Sequence, residues 1–298
     1  MHSPLHRRTL LQTMAAAPWF TACASRPTDD RLAQARAALG RIETAADGRL
    51  GVCAFRADGG PALLHRPQER FPACSTFKVL AAAAVLARSD AVPGLLDRVV
   101  GYGPADLVNY SPVTSRHVGT GMAYAALCAA ALQYSDNTAG NLLLREIGGP
   151  AGLTAYARAL GDGGFRLDRW ETELNDAVPG DPRDTCTPEG MAHSLQRLLL
   201  GDALAPAYRA RLVEWMRGNT TGAARIRAGV PSAWPVADKT GSGDYGTVND
   251  IGVVWPATGA PLVLALYFTR TVQPAPDAPL RHDVLADAAR VAVTALAA

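Results

Sequence analysis

The chain of 298 residues carries almost no surplus of charge: 29 lysines and arginines stand against 27 aspartates and glutamates. The first 22 residues hold two of those arginines and no acid, and beyond them 27 basic residues face 27 acidic ones. A balance this even argues against nucleic acid or another polyanionic surface as partner, which would call for a basic face. Histidines are few and scattered. His2, His6, His65, His117, His193 and His282 show no metal-site spacing, so neither a metal nor another cofactor is expected. Cys-x-x-Cys is also missing: Cys53, Cys74, Cys128 and Cys186 follow Cys23 at wide intervals, and their pairing is not deducible from spacing. No apolar run reaches the roughly 18 residues of a transmembrane helix, and no internal repeat or low-complexity linker interrupts the chain.

What is present is enough apolar material, 48% of residues, to bury a large core in one large domain or two lobes. Residues 1–25, MHSPLHRRTLLQTMAAAPWFTACAS, read as an export signal: two arginines, a mostly apolar run to Phe20, then small residues. Arg7-Arg8-Thr9-Leu10-Leu11 is similar to a twin-arginine leader. Phe20-Thr21-Ala22-Cys23 resembles a lipoprotein cleavage box that would leave Cys23 lipidated; an ordinary cleaved leader is the simpler alternative. The expected location is periplasmic, and the expected state is monomeric.

Beyond the leader, Asp29–Ala46 has helical periodicity, with Leu32, Ala35, Ala38, Leu39 and Ile42 on one stripe. Leu50–Arg56 and Ala62–His65 alternate as strands around Asp58-Gly59-Gly60-Pro61, a hairpin pattern. Helices then dominate: Met122–Leu132, Thr138–Ile147, Gly152–Leu160, Pro188–Leu200 and Ala207–Arg217. Trp234–Thr240, Asp250–Trp255 and Leu262–Thr269 return to strand character, and Asp283–Ala297 closes as an amphipathic helix. Strands at both ends with helices between predict an α+β fold. An antiparallel sheet built by both termini, residues 26–68 and 218–298, would carry flanking helices, and residues 69–217 would form an inserted helical lobe. Residues 26–298 thus read as a single catalytic domain with its site in the cleft between lobes.

Phe71–Leu86, FPACSTFKVLAAAAVL, is the stretch around which chemistry collects. From Val79 on it has no polar face and belongs in a core. At its start, Ser75 and Lys78 lie three residues apart on one helix face, an activated-nucleophile arrangement. Ser-x-x-Lys also arises by chance, and Ser75 would then merely cap the helix. Ser135-Asp136-Asn137 lies between two predicted helices, where a triplet of this kind commonly supplies a cap. Lys239-Thr240-Gly241 ends a predicted strand before the turn Ser242-Gly243-Asp244-Tyr245-Gly246. Arg169-Trp170-Glu171-Thr172-Glu173-Leu174-Asn175 opens a Pro- and Gly-rich loop closing near Asp184. There Glu171 and Asn175 would hold one water between a carboxylate and an amide.

These motifs, in this order, resemble a class A serine β-lactamase of the broad- to extended-spectrum branch. The resemblance spans about Arg31 to Leu296 and includes FPACSTFK, YSDN, RWETELN, GDPRDT, DKTGSGDYGT and NDIGVVWP. It implies hydrolysis of penicillins and cephalosporins through an acyl-serine, and hence antibiotic resistance. Ser75 would be the nucleophile, with Lys78, or Glu171 through water, as the base. Backbone N–H groups of Ser75 and Ser242 would hold the oxyanion, a feature contributing about 3–4 kcal/mol per donor. Ser135 would relay a proton to the leaving nitrogen, Lys239 would supply positive charge, and Asn137 would bind the substrate's side-chain amide. Glu171, assisted by Asn175, would activate the deacylating water. Thr240, Gly241 and Ser242 would line the substrate carboxylate site, with Arg225 or Arg281 as its cationic anchor and Arg225 preferred. Tyr110 would wall the cleft, unless it is simply an exposed loop residue. Arg169 and Asp184 resemble a loop-clamping ion pair.

One departure concerns Cys74, which resembles the cysteine that carbapenem-hydrolysing members tie to a partner just after the third motif. That place is Gly243 here, so the bridge cannot form and strong carbapenem turnover is not expected. The usual partner position for Cys128 is Ala82, which makes Cys128 a free, buried thiol. Two other functions compete. A cell-wall D,D-peptidase would acylate and stall on nitrocefin rather than turn over. A penicillin sensor would ordinarily add membrane helices and would not need Glu171 and Asn175.

Overall fold

The computed structural model describes Met1 and residues 27–297. Residues 2–26, with Cys23 and nearly all of the expected leader, lie outside them. Among the described residues no helix is long and apolar enough to cross a membrane.

Both ends of the chain build one five-stranded antiparallel sheet. Helix α1 (Pro27–Ala45) leads into β1 (Gly48–Arg56) and β2 (Leu63–His65), joined across Gly59 and Gly60, whose φ angles near +100° suit only glycine. The helices of the middle are α2 (Phe77–Ala91), α3 (Tyr124–Gln133), α4 (Asn137–Glu146), α5 (Gly149–Ala159), α6 (Pro188–Leu199) and α7 (Pro206–Arg217). Then come β3 (Val236–Gly243), β4 (Thr247–Val254), β5 (Leu262–Arg270) and α8 (His282–Leu296), and the strand order is β2-β1-β5-β4-β3. β1 pairs with β5 from Gly48↔Arg270 to Arg56↔Leu262. The first and last thirds of the sequence are therefore welded together.

In β5, Leu262, Leu264, Leu266 and Phe268 point to one face and Val263, Ala265 and Tyr267 to the other. Both faces are covered, which explains a strand with no polar alternation. One side packs under α1 and α8, where Leu32, Leu39, Val284 and Leu285 are buried. On the other, α6 packs against β1, β4 and β5 and continues into the helical half around α2. Every residue of α2 from Phe77 to Leu86 is buried, as the apolar run that starts at Val79 requires. Burial of each Leu or Val side chain there contributes roughly 1.5–3 kcal/mol.

Element boundaries follow the predicted ones closely and depart in instructive places. Met122 and Ala123 are not helical but pair with Val99 and Val100 in a short ladder, so α3 begins at Tyr124. α5 starts three residues early because Gly148, at φ 89°, turns the chain and Pro150 fits a first helical turn. β3 runs on to Gly243 rather than ending at Thr240, since Gly243 still pairs with Thr247. Lys239, Thr240, Gly241 and Ser242 thus all sit on an edge strand.

Candidate active site

The nucleophile segment is a single 3-10 turn, Cys74–Thr76, running into α2. Cys74 holds φ at 43°, and Ser75 makes no capping bond. Its hydroxyl instead accepts from Lys78 Nζ at 2.9 Å and donates to Glu171 Oε1 at 3.2 Å. Lys78, wholly buried, also reaches Ser135 O at 2.8 Å, Asn137 Oδ1 at 2.6 Å and Glu171 Oε1 at 2.9 Å. Four acceptors surround three ammonium protons. Burial pushes the Lys78 amine below its ordinary range, and the Glu171 carboxylate opposes that push.

The Ser135-Asp136-Asn137 triplet divides its labour, and the helix cap falls on one residue alone. Asp136 is the cap, accepting from Ala139 N at 2.9 Å, and its other oxygen takes the N–H groups of Val113 and Thr114. That frees Ser135, in the left-handed region at φ 58°, to face Lys239. Lys239 Nζ donates to Ser135 Oγ at 2.9 Å and Thr240 O at 2.7 Å. Burial, then the charges of Lys78 and Arg225, holds the Lys239 amine well below its usual range. Asn137 donates to Asn109 O at 2.9 Å while its N–H bonds Tyr110 O. Tyr110 stands beside this pair, 55% exposed.

The loop from Arg169 to Asp184 delivers Glu171. Asp184, 1% exposed, accepts from Asp168 N at 2.7 Å, Arg169 N at 2.9 Å and Arg169 Nε at 2.6 Å. Its own carbonyl receives Ala73 N, so the loop base is tied to the nucleophile segment. The Glu171-Thr172 peptide is cis. Asn175 Nδ2 donates to Glu171 Oε2 at 2.5 Å, leaving Asn175 Oδ1 buried without a protein partner. The far side of the loop lies against the end of β3, and Asp244 N, one residue beyond the strand, donates to Asn175 O. A Cβ at Gly243 would come within 2.6 Å of that carbonyl and 2.8 Å of Cys74 Sγ, so glycine lets loop and strand meet. Among the described residues Cys53, Cys74, Cys128 and Cys186 are all free and buried.

Arg225, 5% exposed, donates to Gly241 O, to Asn249 O and, at 2.7 Å, to Ser242 Oγ. Arg281 does not join it, being paired with Asp283 at 2.7 Å on the surface. Thr240 Oγ1 meets Thr221 Oγ1 at 2.5 Å. Among the other candidates, Ser75, Lys78, Ser135, Asn137, Glu171, Asn175 and Lys239 are linked by one continuous set of hydrogen bonds. Several that were not singled out hold it in shape: Asn141, which bonds both the N–H and the C=O of Glu171, Asn249, which reaches Pro72 O, and His282 beside Arg225. Asn141 sits four residues after Asn137 on the buried side of α4, and an amide at that spacing among leucines was the available clue. No group of His, Cys, Asp and Glu among the described residues is arranged to hold a metal ion.

Comparison with known proteins gives the family. A family model described as the beta-lactamase enzyme family matches residues 31–296. Beta-lactamase Toho-1 of Escherichia coli is 52% identical over 285 residues, 96% of each chain. Beta-lactamase OXY-1 of Klebsiella oxytoca is 49% identical over 290 residues, 97% of this chain and 98% of that one. The crystal structure of a β-lactamase from Desulfarculus baarsii superposes with a TM-score of 0.86 at 56% identity, over 88% of this chain and 97% of its own. Relatives at half identity over nearly the whole length leave one conclusion: the chain belongs to the beta-lactamase enzyme family, as a class A serine β-lactamase.

Proposed function

We propose that this enzyme opens β-lactam rings by acylating Ser75 and frees the product with water activated by Glu171. The observation that carries the reading is Ser75 Oγ held between Lys78 Nζ and Glu171 Oε1 in one buried cluster. In acylation, Ser75 Oγ attacks the lactam carbonyl and the C–N bond breaks. The hydroxyl proton has Glu171 as acceptor when Lys78 is charged, and the lowered Lys78 amine as acceptor when it is neutral. Backbone N–H groups of Ser75 and Ser242 stabilise the oxyanion. Ser135, hydrogen-bonded to Lys239, passes a proton to the departing nitrogen. Asn137 binds the substrate amide, Tyr110 flanks it, and Arg225, Thr240, Gly241 and Ser242 surround its carboxylate. Glu171 then takes a proton from water as that water attacks the ester, and Asn175 Oδ1 is placed to orient the same water. Export through the leader would put a monomeric enzyme in the periplasm, where its substrates arrive, with a lipid at Cys23 if the cleavage box is used.

Glu171→Ala tests the assignment. Acylation by nitrocefin should persist, and a covalent adduct on Ser75 should accumulate and be seen by mass spectrometry, while Ser75→Ala should abolish turnover. Sustained turnover by Glu171→Ala without an adduct would overturn the deacylation role. A wild-type burst followed by silence would favour a D,D-peptidase instead.

A further inference from the structure

We infer that His282 is a positioning residue for Arg225, and that protonation of its imidazole weakens capture of the substrate carboxylate. The inference rests on the assignment of Arg225 as the carboxylate anchor. A guanidinium has five N–H donors in a rigid fork. In Arg225, Nη1 is committed to Gly241 O at 2.7 Å and Asn249 O at 2.6 Å, and Nη2 gives one hydrogen to Ser242 Oγ. Nε donates to His282 Nδ1 at 3.1 Å. One Nη2 hydrogen remains for a ligand, beside the Ser242 hydroxyl, which accepts from Nη2 and still has its own proton to give. The imidazole therefore fixes the plane of the fork that presents both donors.

This contact requires a bare lone pair on Nδ1, so the ring must be neutral with its hydrogen on Nε2. Protonation would set N–H against N–H and one cation against another that is almost fully buried, where screening is weak. The charged groups around the ring are Arg225 from the segment before Ile226, and Asp283 next to it on α8. Asp283 is already paired with Arg281. Asp250, which accepts from Ile226 N at 2.9 Å, lies behind Arg225 on β4. Burial first, and then the Arg225 charge, keep the imidazole below its usual range, with Asp283 opposing them, so the accepting form prevails at neutral pH.

The test uses the mature enzyme with benzylpenicillin and with its methyl ester, which lacks the carboxylate. In His282→Asn, Oδ1 takes the place of Nδ1 and accepts from Nε without titrating. His282→Ala removes the acceptor. At pH 7.5, His282→Ala should raise KM for benzylpenicillin about three- to tenfold, with kcat within about twofold, as expected for the loss of one ordinary hydrogen bond that holds the fork without touching the substrate. On the ester it should have no effect. His282→Asn should keep the wild-type KM at pH 7.5 and should not share the loss of kcat/KM that the wild type shows as pH falls below about 6.5. An unchanged KM in His282→Ala, or the same acid limb in His282→Asn as in the wild type, would overturn the inference; if His282→Ala does not fold, the His282→Asn profile decides. Arg225→Ala separates the two levels. If it leaves KM unchanged, the anchor assignment itself fails; if it raises KM and the His282 variants do not, only the role of His282 fails.

Discussion

Replacing Asp184 with asparagine should loosen the loop that carries Glu171. Asp184 is 1% exposed, and its two oxygens accept from two backbone N–H groups and from Arg169 Nε. The amide keeps only one accepting oxygen. If that oxygen serves the backbone pair, the new NH2 faces the Arg169 guanidinium donor to donor. Breaking a buried pair in this way costs about 3–5 kcal/mol. Arg169 keeps Asp176 at 2.7 Å and is 14% exposed, so the cost falls below that range, to about 2–3 kcal/mol. If the loop opens as a local unit, hydrogen exchange at the Asp168 and Arg169 amides should quicken roughly 30- to 150-fold. Because Asp184 O also anchors Ala73, the ratio of kcat/KM for ceftazidime to that for benzylpenicillin should change with it. Exchange rates and substrate ratios both equal to wild type would refute the view that this pair holds the loop.

Two further outcomes follow from other parts of the molecule. Burial alone would raise the Glu43 carboxyl, but hydrogen bonds from Arg66, Leu50 N–H and His65 outweigh it and hold the group at about 2. Its stabilising contribution is therefore complete above pH 4.5 and lost as pH falls towards 2. After allowance for solvent screening it should reach about 1–2 kcal/mol. Urea unfolding of Glu43→Gln should show that deficit at pH 7 and nearly none at pH 2; equal deficits at both would contradict it. Gly243→Ala places a methyl 2.6 Å from Asn175 O, so loop and β3 must part by several tenths of an ångström, at about 1–3 kcal/mol. A fall in Tm with improved turnover of bulky cephalosporins is expected, and an unchanged Tm would show that the contact is slack.

Most of the sheet and helices were legible because burial leaves a period in the sequence. β5 could be read as fully buried from its unbroken apolar run, and α2 as central from its lack of a polar side. Ser75 and Lys78, and likewise Glu171 and Asn175, are close in sequence as well as in space, but that the separate motifs form one site came from their order and the family resemblance. What joins those pieces was not legible. Asn141 touches Glu171 across 30 positions and His282 touches Arg225 across 57, and no local spacing encodes such pairs. The short ladder between Val99–Val100 and Met122–Ala123 escaped for the same reason, since two residues carry no periodicity. Nor could composition separate Asp136 from its neighbours: whether a polar residue caps a helix or faces a substrate depends on where the preceding helix stops.

Cys74, Tyr110 and Ser135 all border the reactive cluster with φ between 43° and 62°, a region disfavoured for residues with a side chain by roughly 1–2 kcal/mol each. Folding must supply that free energy from the cores on either side of the sheet. A search for more thermostable variants will therefore tend to select changes that relax these three backbones. Such proteins would melt later and hydrolyse more slowly, which makes heat tolerance a poor guide to resistance in this enzyme.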